Sequence, residues 1–78
     1  MNINHLVHMA NQIATFFEAE SGPQNAPADV ATHIVKYWEP RMRSEIIAHV
    51  RAGGEGLSEP ARKAVLKLAS DSETATAA

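Results

Sequence analysis

The chain has 78 residues, of which 45% are hydrophobic and 21% are charged, with a formal net charge of −2. A chain of this length forms one small domain, too small for an enzyme with a deep cleft of its own. The negative charge disfavours a nucleic-acid partner, and the lack of cysteine excludes a thiolate metal site. No apolar run reaches the roughly 18 residues of a membrane span.

The first predicted helix covers about residues 4–19. Its apolar residues recur with the helical period and form one stripe: Ile3, Leu6, Val7, Ala10, Ile13, Ala14 and Phe17. Asn11 lies on the opposite, polar side. The turn-forming residues 21–27 that follow predict a loop.

Three further helices are predicted. The second covers about residues 28–38, with Pro27 in its first turn and an apolar arc over nearly half of its circumference. The third covers about residues 40–52, from Pro40 to a C-cap at Gly53. The fourth opens at Ser58, a good N-cap residue, and the glycine-rich residues 53–56 before it are interpreted as a linker.

These segments predict an all-α fold, a small bundle of three or four helices. Residues 1–69 would form a single helical domain. Residues 70–78 contain no large apolar side chain and are predicted to be a disordered tail.

Two predicted helices carry more apolar surface than one packed face requires. Met9 and Phe16 lie seven residues apart, beside the main stripe of the first helix. Either the bundle covers these residues on a second side, or the excess surface binds another protein. The small size of the core favours the second interpretation, because a partner would supply the missing burial.

Residues 38–43, Trp-Glu-Pro-Arg-Met-Arg, contain residue types that dominate protein-binding hot spots. Arg43 lies on the flank of an apolar face, so its guanidinium must meet a carboxylate, a carbonyl oxygen or water, or else an acid of a partner or an anionic cofactor. Trp38 is expected to pack in the core. The predicted partner contacts are Met9, Phe16, Trp38, Arg41, Met42 and Arg43.

No catalytic, cofactor-binding or metal-binding residue is predicted. His5 and His8 share a helix face, but a zinc site needs three or four converging ligands. Ser58 has no base placed for it in the sequence and is interpreted as a helix cap.

Three segments resemble the delta subunit of NAD-dependent formate dehydrogenases. They are residues 4–13, Asn-His-Leu-Val-His-Met-Ala-Asn-Gln-Ile, followed by Phe16 and Phe17; His33 and Ile34 with residues 38–43; and residues 52–58, Ala-Gly-Gly-Glu-Gly-Leu-Ser. The similarity runs over roughly residues 2–69, with the segments in the same order and at compatible spacing.

The resemblance implies a cytoplasmic complex that oxidises formate to carbon dioxide. Its alpha subunit carries a molybdenum or tungsten pyranopterin and iron–sulfur clusters, its beta subunit FMN and the NAD site, and its gamma subunit another cluster. The delta chain would be a non-catalytic accessory subunit without a redox centre, docking on the alpha subunit to support assembly, maturation or stability. The alternatives are a transient cofactor-loading chaperone of the same enzyme and a small helical DNA-binding regulator.

Overall fold

The computed structural model describes residues 2–77 and, within them, the side chains of residues 2–71. The helices are α1 (Ile3–Ser21), α2 (Ala26–Tyr37), α3 (Pro40–Arg51) and α4 (Glu59–Ala77). The prediction of a small all-α bundle is confirmed, with four helices and no strand among the residues described. None of these helices is both long and apolar enough for a membrane span within the same residues.

The ends of the first three helices follow from residue chemistry. The Asn2 side chain caps α1, because its Oδ1 accepts a hydrogen bond from the Asn4 N–H at 2.9 Å. Pro27 lies in the first turn of α2, where its missing N–H costs no hydrogen bond. Gly53 directly follows the C-cap of α3 with a φ of +126°, which residues with a Cβ rarely adopt.

The bundle core is built from aliphatic and small side chains of all four helices. The largest fully buried side chains are those of Leu6, Ile34, Ile46, Val30 and Val65. The most extensive helix–helix contact is between α2 and α4. Helix α4 therefore closes the bundle and buries its own apolar face within this chain.

Ser58 precedes α4 as predicted, but it does not act as a side-chain cap. Its Oγ is buried without a hydrogen-bond partner in the described part of the chain. Its backbone makes the contacts instead: the carbonyl accepts from the Arg62 N–H at 2.8 Å, and the N–H donates to Asn11 Oδ1 at 2.8 Å.

The glycine-rich loop between α3 and α4 is packed against the bundle and is more than a linker. Asn11 of α1 donates from Nδ2 to the Gly56 carbonyl at 2.9 Å, in addition to accepting from Ser58. His49 Nε2 lies 2.8 Å from the Glu55 carbonyl oxygen. A Cβ at Gly54 would lie 3.2 Å from Arg62 Cδ, so a larger residue there would require the Arg62 side chain to shift by a few tenths of an ångström. The φ of +67° at Gly54 also disfavours residues with a Cβ.

The predicted domain boundary at residue 69 falls inside α4. Ser70 and Asp71 continue that helix. The backbone of residues 72–77 also belongs to α4, whereas their side chains and residue 78 lie outside the described part. A separate disordered tail stays a prediction.

Candidate functional site

Four rings from α1 and α2 form a continuous row on the surface of the bundle. The centroids of Phe16 and Phe17 are 5.0 Å apart, with their planes 79° from parallel. Phe17 and His33 are 5.9 Å apart, and His33 and Tyr37 are 4.6 Å apart. These edge-on and tilted pairs are the arrangements that aromatic rings prefer. We call these four residues the aromatic strip.

Both ends of the aromatic strip are open to solvent. Phe16 is 57% exposed and Tyr37 is 72% exposed, whereas His33 and Phe17 between them are partly buried. Alanines such as Ala10 and Ala14 occupy the buried side of α1. Small residues at a helix contact let the helices approach closely. The large rings therefore lie at the edge of the α1–α2 contact.

Two hollows flank the centre of the strip. One, of about 310 Å³, is lined by Gln12, Ile13, Phe16, Phe17 and His33. We call it the apolar cup, because its walls are mainly hydrocarbon and ring carbon. It is suited to an aliphatic or aromatic side chain, since burying one is worth roughly 1.5–3 kcal/mol.

The second hollow, of about 250 Å³, lies on the other side of Phe17 and His33. It also contains Asp29, Thr32, Lys36 and Tyr37. An apolar depression therefore adjoins one that is bordered by charged, hydroxyl and ring side chains along α2.

The six predicted contact residues differ in how deeply they are buried. Phe16 belongs to the aromatic strip, whereas Trp38 is 5% exposed and packs in the core. Met9 and Met42 are partly buried and pack against that core, and Arg41 is exposed.

Arg43 links α3 to the end of α2. Its Nη1 donates to the Trp38 carbonyl at 2.8 Å and to the Val35 carbonyl at 3.2 Å. A cation is stabilised at this position by the partial negative charge of a helix C-terminus. The sequence left a carboxylate, a carbonyl oxygen or water open as the partner of this guanidinium, and the structure shows carbonyl oxygens. Arg43 therefore stabilises the turn between α2 and α3.

Replacing Arg43 by alanine is expected to destabilise the fold by about 1–3 kcal/mol, because the two carbonyl oxygens lose a charged donor. Thermal or urea unfolding measures this change. Arg41→Ala is the matched control and should change stability by less than about 0.5 kcal/mol, since that side chain is exposed. Equal stability of the two variants would contradict a structural role for Arg43.

Three residues of the aromatic strip were not among the predicted contacts. Tyr37 lies in the wide apolar arc of α2, which was a usable signal. Phe17 belongs to the stripe that is predicted to face the core, and no contact role is predicted for His33. Their pairing depends on how α1 packs on α2, which no spacing within a single helix reveals.

Within residues 2–71, the histidines and carboxylates do not converge on a metal site. Among the described residues, no three side chains of the His, Cys, Asp or Glu type are close enough together to hold an ion. The surface chemistry of the strip is that of apolar and aromatic contact with a few polar groups beside it.

The fold and the strip define a small helical protein with a partly exposed row of aromatic rings on its surface. Residues 5–65 match the family described as NADH-dependent formate dehydrogenase delta subunit FdsD, and the chain belongs to this family. The resemblance drawn from the three sequence segments is thereby confirmed. No curated protein and no solved structure matches the chain.

Proposed function

We propose that the chain is a non-catalytic accessory subunit that docks on the alpha subunit of formate dehydrogenase through the aromatic strip. The observation that carries this proposal is the exposure of Phe16 and Tyr37 at the two ends of a row of packed rings. Family membership supplies the enzyme complex in which the partner is sought.

Aromatic side chains support docking for an energetic reason. Phe and Tyr bring large contact areas with few rotatable bonds, so they lose little conformational freedom on binding. The partly buried Phe17 and His33 hold the strip in place before a partner arrives. A surface that is already organised gains more affinity from the same buried area.

The remaining predicted contacts divide according to their burial. Met9, Arg41 and Met42 stay in the proposed interface together with Phe16. Trp38 supports the interface only through the core, and Arg43 only through the α2–α3 turn.

The other subunits of the complex would carry out formate oxidation and electron transfer. Formate oxidation would take place in the cytoplasm at the molybdenum or tungsten pyranopterin of the alpha subunit. The beta and gamma subunits would complete the path through iron–sulfur clusters and FMN to NAD. The delta chain would bind none of these groups and would support assembly, maturation or stability.

Capture from the native cytosol tests the proposal. A tagged chain should retain the alpha subunit, together with beta and gamma, in a constant ratio to the active enzyme. Absence of the alpha subunit from the retained fraction would refute docking. Retention of cofactor-free enzyme alone would favour the transient loading chaperone over a permanent subunit.

A further inference from the structure

The candidate docking surface continues from the aromatic strip around the exposed side of α2. Val35 is 53% exposed and borders a groove of about 340 Å³ with Ile47 of α3 and Leu68 of α4. A smaller hollow of about 210 Å³ lies between Val35, Lys36 and Lys67. Lys36 also borders the polar hollow of the strip, so it lies near the middle of one continuous surface. We call this the α2 surface.

The charge of the α2 surface differs in sign from that of the chain. Three cations border its hollows, Lys36, Arg43 and Lys67, against two carboxylates, Asp29 and Asp71. The chain as a whole has a net charge of −2. These five groups therefore give the hollows a net charge of +1.

Two of these cations have no ionic partner among the described side chains. Within residues 2–71, neither Lys36 nor Lys67 forms an ion pair, although Asp29 and Asp71 border the same hollows. A partner that covers the neighbouring Val35 would take both ammonium groups at least partly out of water. Desolvation of this kind is unfavourable unless the partner supplies an opposite charge.

We propose that the segment of the catalytic subunit that covers the α2 surface is acidic. It places an aliphatic or aromatic side chain in the apolar cup and carboxylates beside Lys36 and Lys67. This inference rests on the proposed function and adds the chemistry of the partner segment. Lys36 lies three residues after His33, so the anchor and the first carboxylate are about one helical turn apart.

A second copy of the chain fits this surface less well than an acidic segment. A symmetric dimer brings the same patch of each copy together, so the residue near its middle faces its own equivalent. Lys36 would then approach Lys36 of the other copy, and this like-charge contact opposes association.

Charge reversal tests the inference with purified formate dehydrogenase that lacks the delta chain. Binding of the double variant Lys36→Glu/Lys67→Glu should be about tenfold or more weaker at low ionic strength, and the difference should shrink as salt is added. Lys63→Glu is the matched control on α4, because Lys63 is exposed and borders none of these hollows. Circular dichroism verifies that each variant remains helical.

The opposite reversal, Asp29→Lys/Asp71→Lys, should strengthen binding to the same enzyme. If the double glutamate variant bound as tightly as the wild-type chain or more tightly, the inference that the partner segment is acidic would be wrong. The proposed function would still stand, because the wild-type chain binds the enzyme. No binding of the wild-type chain would overturn both. Self-association that is lost on Tyr37→Arg substitution would also overturn the inference, since a second copy would then occupy the surface.

Discussion

Replacing Phe16 and Tyr37 together by alanine is expected to weaken binding to formate dehydrogenase about a thousandfold. Each ring is more than half exposed in the free chain and would be buried in the complex. Aromatic hot-spot residues contribute about 2 kcal/mol or more each, and about 4 kcal/mol for the two corresponds to roughly a thousandfold change in affinity. Titration of the delta-free enzyme with each variant measures the loss.

The fold should tolerate this double substitution, because neither ring belongs to the buried core. Leu66→Ala provides the matched control: Leu66 is 46% exposed on α4 and borders none of the hollows around α2. Its affinity should remain within about threefold of the wild-type value, which is below 1 kcal/mol. A double variant that binds as tightly as Leu66→Ala would remove the aromatic strip from the interface.

The second large effect is a loss of folding stability when Trp38 is replaced. Trp38→Ala should cost about 3–5 kcal/mol, because it removes the one large aromatic side chain of the buried cluster and leaves a cavity. A domain of 78 residues has only about 4–12 kcal/mol of total stability, so the variant should be partly unfolded near physiological temperature. Urea unfolding monitored by circular dichroism gives the free-energy change.

Trp38→Phe is the conservative comparison at the same position and should retain most of the stability, because a ring still fills the site. Both variants also bear on the interface. If Trp38→Ala were as stable as the wild-type chain yet lost binding, the indole would contact the partner directly. The assignment of Trp38 to the core alone would then be wrong. Loss of stability and binding together supports a core role.

The fold was largely predictable because its signals are local. Helical periodicity located α1, Pro27 and Pro40 fixed the starts of α2 and α3, and Gly53 marked the end of α3. Each of these signals lies within a few residues of the feature that it specifies. The helix boundaries therefore differ from prediction by only one or two residues at most of the ends.

The candidate site was less predictable because it depends on contacts between distant residues. Asn11 lies on the polar side of α1, and its partners Gly56 and Ser58 are 45 and 47 positions further along the chain. Phe17 and His33 meet only because α1 packs on α2. Arg43 was correctly expected to need a partner, but the choice of carbonyl oxygens required the geometry of the α2–α3 turn.

The two outer connections of the bundle differ in how they accommodate extra length. The turn between α1 and α2 contains exposed Pro23 and Gln24, and a Cβ at Gly22 would meet nothing within 4 Å. The turn between α3 and α4 is held by Asn11 and His49. A fluorophore or an inserted peptide is therefore expected to be tolerated at Pro23 and Gln24, but not at Gly22, whose φ of +84° strains any residue with a Cβ. An insertion within residues 53–58 is expected to disrupt the contacts that Asn11 makes with Gly56 and Ser58.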